Sequence, residues 1–300
     1  MQIRKLDTTQ KSERARFVDF IFDLYKDHPL WVPPFRSEAM KTLDASKHPF
    51  YEHSYADFFV VEEGSQVLGR IAMLENRSFN NFHNTKTAFF GYFEVVENID
   101  VARMLLQKAI EWAKAHDLDT LIGPRGVIGI DGSVLVEGFE HRPAMTIPYN
   151  YPYYDAFIKD SGFEKDTDYL SGYASGDHEL PPRLYDIAAK VKAKRGFSIK
   201  TFASKNEIRQ WIPRAMAIHR EAMSGLHSFF PPSEAETREV IDSLLMIVDP
   251  SLIKLVMKDD EIAGFLIAYH DVSAGLQKAG GRLFPFGWFH ILRDRQKTDW

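Results

Sequence analysis

The 300-residue chain contains no cysteine. Disulfides, thiolate nucleophiles and thiolate-bound metals are thereby excluded, and nothing calls for an oxidising compartment. The chain also lacks any apolar run near the roughly 18 residues a membrane span needs. Its opening residues, Met1 to Asp7, lack the apolar stretch of a secretory signal. A surplus of positive charge is missing too. With a net charge of −5, no global basic field gathers phosphates by counterion release, which excludes nucleic acid as an expected partner. The one basic cluster, Lys190 to Arg195, ends a helical run before Gly196, where cations suit the helix dipole. Among the eleven histidines there is no His-Glu-x-x-His and no pair at i, i+4, so no metal site is expected. His219 and His227 read as surface or cap residues. No Gly-x-Ser-x-Gly elbow supports a serine hydrolase, and Gly126-x-x-Gly129-x-x-Gly132 does not join a strand to a helix as a dinucleotide fingerprint must. A cytoplasmic protein with neither metal nor membrane partner is the expectation.

What is present is an internal repeat. Val60-Val61-Glu62-Glu63-Gly64 to Gly69-Arg70-Ile71-Ala72 is echoed by Leu255-Val256-Met257-Lys258-Asp259 to Gly264-Phe265-Leu266-Ile267, with Gly69 and Gly264 lying 195 positions apart (264 less 69). Both stretches read as β-hairpins. Upstream, Trp31-Val32-Pro33-Pro34 is matched by Phe229-Phe230-Pro231-Pro232. Hydrophobic content of 45% and charged content of 26% fit a globular protein of about two domains. The spacing predicts a complete module over 1–175, a linker with bridging helix over 176–196, and a partial second module over 197–300 that stops soon after its hairpin.

Along the first module, a strand over 2–6 precedes a helix over 12–26. The hairpin 57–61/66–74, an aromatic-rich strand over 85–97, a helix over 101–116 N-capped by Asp100, and a buried strand over 120–124 follow. Strand, helix and adjacent strand form a βαβ unit, so part of the sheet is expected to be parallel. A glycine-rich loop carries Arg125, Asp131 and Glu137, which are candidates for a polar pocket. Strands around 144–148 and 166–174 flank a helix over 153–160, and Ser175 to Pro182 reads as linker. In the second module a strand opens at Ile199, the stretch 206–223 is helical despite Pro213, and Ser233-Glu234-Ala235-Glu236 forms a capping box. Residues 280–287 read as loop. The fold class is α/β: a mixed sheet, antiparallel in its N-terminal half, with a parallel βαβ unit flanked by helices.

This element order resembles the GNAT superfamily of acyl-CoA N-acyltransferases over most of residues 2–175. The sharpest local match is Asn150-Tyr151-Pro152-Tyr153-Tyr154-Asp155 through Ser161-Gly162-Phe163, similar to that family's late asparagine–helix–Gly-Phe motif. The resemblance implies acyl-CoA as co-substrate, transfer of its acyl group to a small amine, and Glu94 as base with Tyr153 or Tyr154 as acid. It also implies a cofactor site along Val95, Val96, Asn98, Val101, Ala102 and Asn150. One departure stands out. Where the family places a glycine-rich pyrophosphate turn, this chain has Glu97-Asn98-Ile99-Asp100, without glycine and with two carboxylates. A module that kept the fold but binds a ligand or protein without catalysis is the rival reading. A partial second sheet would also leave a strand edge unpaired, so self-association is expected.

Overall fold

The computed structural model describes residues 1–126, 132–172, 179–226 and 228–295. Within these the chain divides into two compact units. The first unit, Met1–Tyr169, runs β1 (Gln2–Lys5), α1 (Lys11–Leu24), α2 (Arg36–Thr42), β2 (Tyr55–Glu63), β3 (Gln66–Glu75) and α3 (Arg77–His83). It continues through β4 (Thr87–Val95), α4 (Ile99–Ala115), β5 (Thr120–Ile122) and α5 (Tyr153–Asp160).

Its five strands lie in sequence order. The first four are antiparallel and β5 runs parallel to β4, as the βαβ reading requires. Strand alternation divides the core into two layers. Phe59, Val61, Ile71 and Met73 face α4, where Val101, Leu105 and Ala109 complete the apolar face. Phe58, Val60 and Ala72 face the opposite way, toward Phe17 and Val18 of α1 and Leu43. Asn98, not Asp100, caps α4, because its side chain accepts from the amides of Asp100 (3.0 Å) and Val101 (3.4 Å). Helix α3 was not anticipated. The residues expected as strands around 144–148 and over 166–172 form none, and 173–174 lie outside the described residues.

The second unit runs α6 (Pro182–Arg195), β6 (Phe197–Thr201), α7 (Lys205–Met223), α8 (Glu234–Ile247), β7 (Ile253–Lys258) and β8 (Glu261–Ile267). Its sheet has the order β6-β7-β8 around its own core, in which Leu255 and Met257 meet Ile208 and Leu245. The Ser233/Glu236 capping box is formed, and α7 continues through Pro213. The repeat is visible in the register. Val61 faces Gly69, Glu62 faces Val67 and Glu63 faces Gln66; in β7 and β8 the same pairs are Val256 with Gly264, Met257 with Ile262 and Lys258 with Glu261. Both hairpins slip by one residue at the same place, between Val61 and Glu62 and between Val256 and Met257. Gly64 and Asp259 hold the left-handed turn in each.

The division departs from the expected boundaries at the C-terminal side. Val272 to Arg295 belongs with the first unit, not the second. It forms α9 (Ser273–Ala279) and α10 (Gly287–Arg295), two unanticipated helices on either side of the stretch expected as loop over 280–287. The Gln277 amide donates to the carbonyls of Pro29 and Trp31, both at 2.9 Å, and the Arg36 amide donates to the Gly281 carbonyl at 3.0 Å. Gly281 has φ +67°, and a Cβ there would strike the Pro34 carbonyl and the Phe22 ring. Gly280 has φ +54° with open space around it. Gly280→Ala should therefore cost about 1–2 kcal/mol from backbone strain alone, and Gly281→Ala a further 1–3 kcal/mol or so from overpacking. Urea unfolding of the two variants checks the difference; equal costs would mean that the contact with Pro34 constrains nothing.

Candidate functional site

Strand β4 positions the candidate site through a break in its own alternation. Ala88 and Phe90 face α4, and so do Phe93 and Val95, three and five residues on from Phe90. The phase shift is absorbed where the pairing with β3 slips between Arg70 and Ala72, and Tyr92 takes the left-handed φ of +51°. The consequence is that Glu94 points to the α1 side, opposite Arg70 on β3. Meanwhile β5 pairs with β4 only along Thr87, Ala88 and Phe89. Beyond that the Arg125 amide reaches the Phe90 carbonyl at 2.7 Å, and Gly91 lacks the Cβ that would meet the Arg125 carbonyl. The far end of β4, through Val95, keeps β3 on one side but, among the described residues, has no strand on the β5 side.

Two tyrosines of α5 fill that edge. The Tyr154 hydroxyl accepts from the Val95 amide (3.0 Å) and donates to Glu94 Oε2 (2.7 Å). The Tyr153 hydroxyl donates to the Val95 carbonyl at 2.8 Å. From α1, the Tyr25 hydroxyl donates to the same Glu94 oxygen at 2.8 Å and lies 3.3 Å from that of Tyr154. Glu94 is thus half-buried, with one carboxylate oxygen shared by two phenols. Burial pushes its carboxyl above the ordinary value of 4.5, while Arg70 and the two hydroxyls pull the other way. Burial and the Glu94 charge hold both Tyr25 and Tyr154 well above the usual phenol range. The buried Arg70 guanidinium donates to the Phe17 carbonyl at 2.8 Å and lies 4.7 Å from the centre of the Phe17 ring.

The supports of this triad are aromatic. Trp31 stacks on Tyr25 (5.1 Å, 12°), Tyr25 on Tyr151 (4.9 Å, 10°) and Tyr151 on Tyr153 (5.4 Å, 11°). His28 meets Tyr149 and Tyr151 edge-on, and burial lowers its pKa. Sequence reasoning picked out Glu94, Tyr153 and Tyr154 but missed Tyr25, Trp31 and Arg70. The clue lay in Arg70, a charge in a strand of otherwise apolar residues, which needs a buried anion to answer it.

The residues expected to hold a coenzyme are engaged elsewhere. Val95 has both backbone groups taken by tyrosines. The Val96 amide donates to the Leu68 carbonyl at 3.0 Å. Val101 and Ala102 are buried in the core, and Asn98 spends its side-chain oxygen on the first amides of α4. Asn150 pins the loop at Leu135, accepting from its amide at 2.7 Å. With Glu97 and Asp100 beside it, the α4 N-terminus does not fit a pyrophosphate in this arrangement. Of the polar candidates in the glycine-rich loop, only part lies among the described residues. Arg125 lies over the Phe79 and Phe89 rings and burial lowers its pKa, while Asp131 lies outside the described residues, as does His227. Among the described residues no cluster of His, Asp and Glu could hold a metal.

A βααββ start, a bulged fourth strand, a parallel βαβ step and a late helix returning to the splayed edge define the first unit, and the βααββ start recurs in the second. The order of elements agrees with the GNAT-like resemblance of the sequence. No protein-family model matches the chain. Protein YghO of Escherichia coli strain K12 is 26% identical over 287 residues, covering 94% of this chain and 72% of that protein. A bacterial ceramide synthase of Caulobacter vibrioides is 24% identical over 286 residues, covering 94% and 73%. Among solved structures, a tandem GNAT protein from the clavulanic acid biosynthesis pathway aligns with 99% of this chain and 87% of its own, at 14% identity and a TM-score of 0.47.

The raised Glu94 pKa in the first unit sets a sign for stability against pH. Stability due to the raised pKa is present below the ordinary value of 4.5 and is lost as pH rises through the folded value. Glu94→Gln removes this dependence, and the orphaning of Arg70 adds an offset that does not vary with pH in this range. The unfolding free energy of the wild type minus that of the variant should therefore fall as pH rises from 4 toward neutrality, measured by urea titration. A difference that climbs instead would mean that Arg70 outweighs burial.

Proposed function

We propose that this protein is an N-acyltransferase that moves an acyl group from an acyl thioester, acyl-CoA in the first instance, to an amine. The observation that carries this reading is the Glu94 carboxylate, half-buried at the open edge of β4 and bonded to Tyr25 and Tyr154. Amide formation makes a C–N bond, breaks a C–S bond and sheds a proton from the amine. A carboxylate whose pKa is raised by desolvation is a stronger base than an ordinary one and so better suited to take that proton. Tyr154, hydrogen-bonded to the same carboxylate, is the acid in this scheme: it gives its proton to the departing thiolate as Glu94 passes it the one taken from the amine. Tyr153, bonded to the Val95 carbonyl, positions α5 instead of donating. The name of the Caulobacter relative adds support, since a ceramide is an N-acylated amino alcohol.

The donor is gripped, on this reading, by surfaces other than the α4 N-terminus, or after Tyr153 and Tyr154 release Val95. Location in the cytoplasm and self-association through the edge of the β6-β7-β8 sheet belong to the same proposal. A second reading, a GNAT-type domain that binds a ligand without catalysis, is favoured by the capped α4 amides. Titration calorimetry with acetyl-CoA and longer acyl-CoAs separates the two. The transferase reading expects binding and amine-dependent release of CoA. Glu94→Gln should then lower turnover by roughly 10²–10⁴ with donor binding kept, and Tyr154→Phe should lower turnover without a new pH dependence. No heat at millimolar donor would favour the binding module.

A further inference from the structure

The C-terminal segment carries an apolar surface that the sheet and its site do not use. Leu283, Phe284, Phe286, Trp288, Phe289 and Leu292 are all exposed, Phe284 at 81% and Phe286 at 72%. Six such side chains within ten residues make a contiguous patch of the kind that marks an interaction surface. The patch is fixed in shape. Gly275 lets α9 approach the backbone of α10 at His290 and Ile291, and Gly287 sits against the Arg282 carbonyl, where a Cβ would clash. Gln277 and Gly281 tie the same segment to the Pro29–Arg36 stretch.

Several of its polar groups are answered within the segment. The Gly281, Arg282, Trp288 and Phe289 amides donate to the carbonyls of Leu276, Ala279, Leu283 and Phe286. The Trp288 indole N–H donates to the Pro285 carbonyl at 3.1 Å. Charge selects the partner. Residues 272–295 hold Lys278, Arg282, Arg293 and Arg295 against one carboxylate, Asp294, in a chain of net charge −5. Asp294 is buried and holds Lys278 at 2.9 Å, while Arg282 and Arg293 are exposed beside the aromatic residues.

We propose that the 282–292 turn and helix seat on an anionic lipid bilayer, with Phe284 and Phe286 entering the acyl boundary and Arg282 and Arg293 meeting the headgroups. Rings at the interface with flanking cations are the pattern of an interfacial anchor. At nine residues, α10 is too short to span, and among the described residues no helix is long and apolar enough to cross a membrane. The expectation of no membrane partner came from a search for spans, which an interfacial element does not need. This inference stands independently of acyl transfer.

The test is co-sedimentation of the full chain with phosphatidylglycerol-containing vesicles and with pure phosphatidylcholine vesicles. The wild type should pellet with the anionic vesicles more than with the neutral ones. Phe284→Asp with Phe286→Asp should weaken binding by roughly a hundredfold, and Arg282→Glu with Arg293→Glu by about tenfold or more. These side chains are exposed, so circular dichroism of both variants should match the wild type. Failure of the wild type to pellet with anionic vesicles, or binding unchanged in the Phe pair, overturns the proposal. So does a wild-type dimer in light scattering that the Phe pair makes monomeric without any vesicle binding, since the patch would then be an interface between copies.

Discussion

A carboxylate inside a β-sheet is tolerated only if its charge is answered or its proton retained, and the first unit is built around answering Glu94. The bulge at Tyr92 turns the side chain toward α1, Arg70 faces it across the strand pair, and two phenols close on one oxygen. None of these groups would be stable in its place alone. Arg70 without Glu94 is an orphaned buried cation, and its Nε lacks a partner even as things stand. Tyr25 and Tyr154 without Glu94 lose the acceptor that fixes their hydroxyls. The four residues come from four separate elements, α1, β3, β4 and α5, so one cluster of charge and hydrogen bonds ties both faces of the sheet together.

That dependence extends outward by stacking. Tyr25 is sandwiched between Trp31 and Tyr151, and Trp31 belongs to a proline-rich stretch with little secondary structure to hold it. The grip comes from far along the chain, where Gln277 takes the carbonyls of Pro29 and Trp31, and Gly281 packs on Pro34. The last helices are therefore part of the first unit in a mechanical sense. Whatever seats on the exposed aromatic turn between them is joined to the carboxylate by a short series of contacts: turn, Gln277, Trp31, Tyr25, Glu94. Rigid packing of this kind transmits a displacement only if some member has two arrangements, and Trp31, held by stacking and one side-chain amide, is the softest link.

Much of this was legible in the residues. The hairpins, the βαβ step, the capping box at Ser233 and the offset of 195 are written in alternation, caps and turn residues, which are local signals. Glu94 and Tyr154 stood out by type and motif. What could not be read is what depends on contacts between distant segments. Tyr25 looked like one apolar position among several on α1; only the return of α5 over the open edge of β4 gives its hydroxyl a partner. The choice of Asn98 over Asp100 as cap follows from where β4 ends, two residues earlier than the aromatic run suggested. The C-terminal helices were missed because Gly280, Gly281 and Pro285 read as loop, and loop is indeed what separates them.

The repeat itself shows why the carboxylate cluster resides in one unit. The two hairpins share register, bulge and turn, yet the side chains at matching positions do different jobs. Glu62, at the first bulge, is buried and held by Arg4 at 3.0 Å and Arg16 at 2.7 Å; Met257, at the second, enters an apolar core. Gly69 is obligatory because a Cβ would press on Val101 and Leu105 of α4, whereas Gly264 has open space around it. Backbone pairing has been kept where the reason for it has changed. The second unit, with three described strands, has no counterpart of the bulged β4 that turns Glu94 inward. A duplicated framework without that strand carries the geometry of a hairpin but not the carboxylate cluster, and so, among the described residues, it is the first unit that sets a carboxylate at an open strand edge.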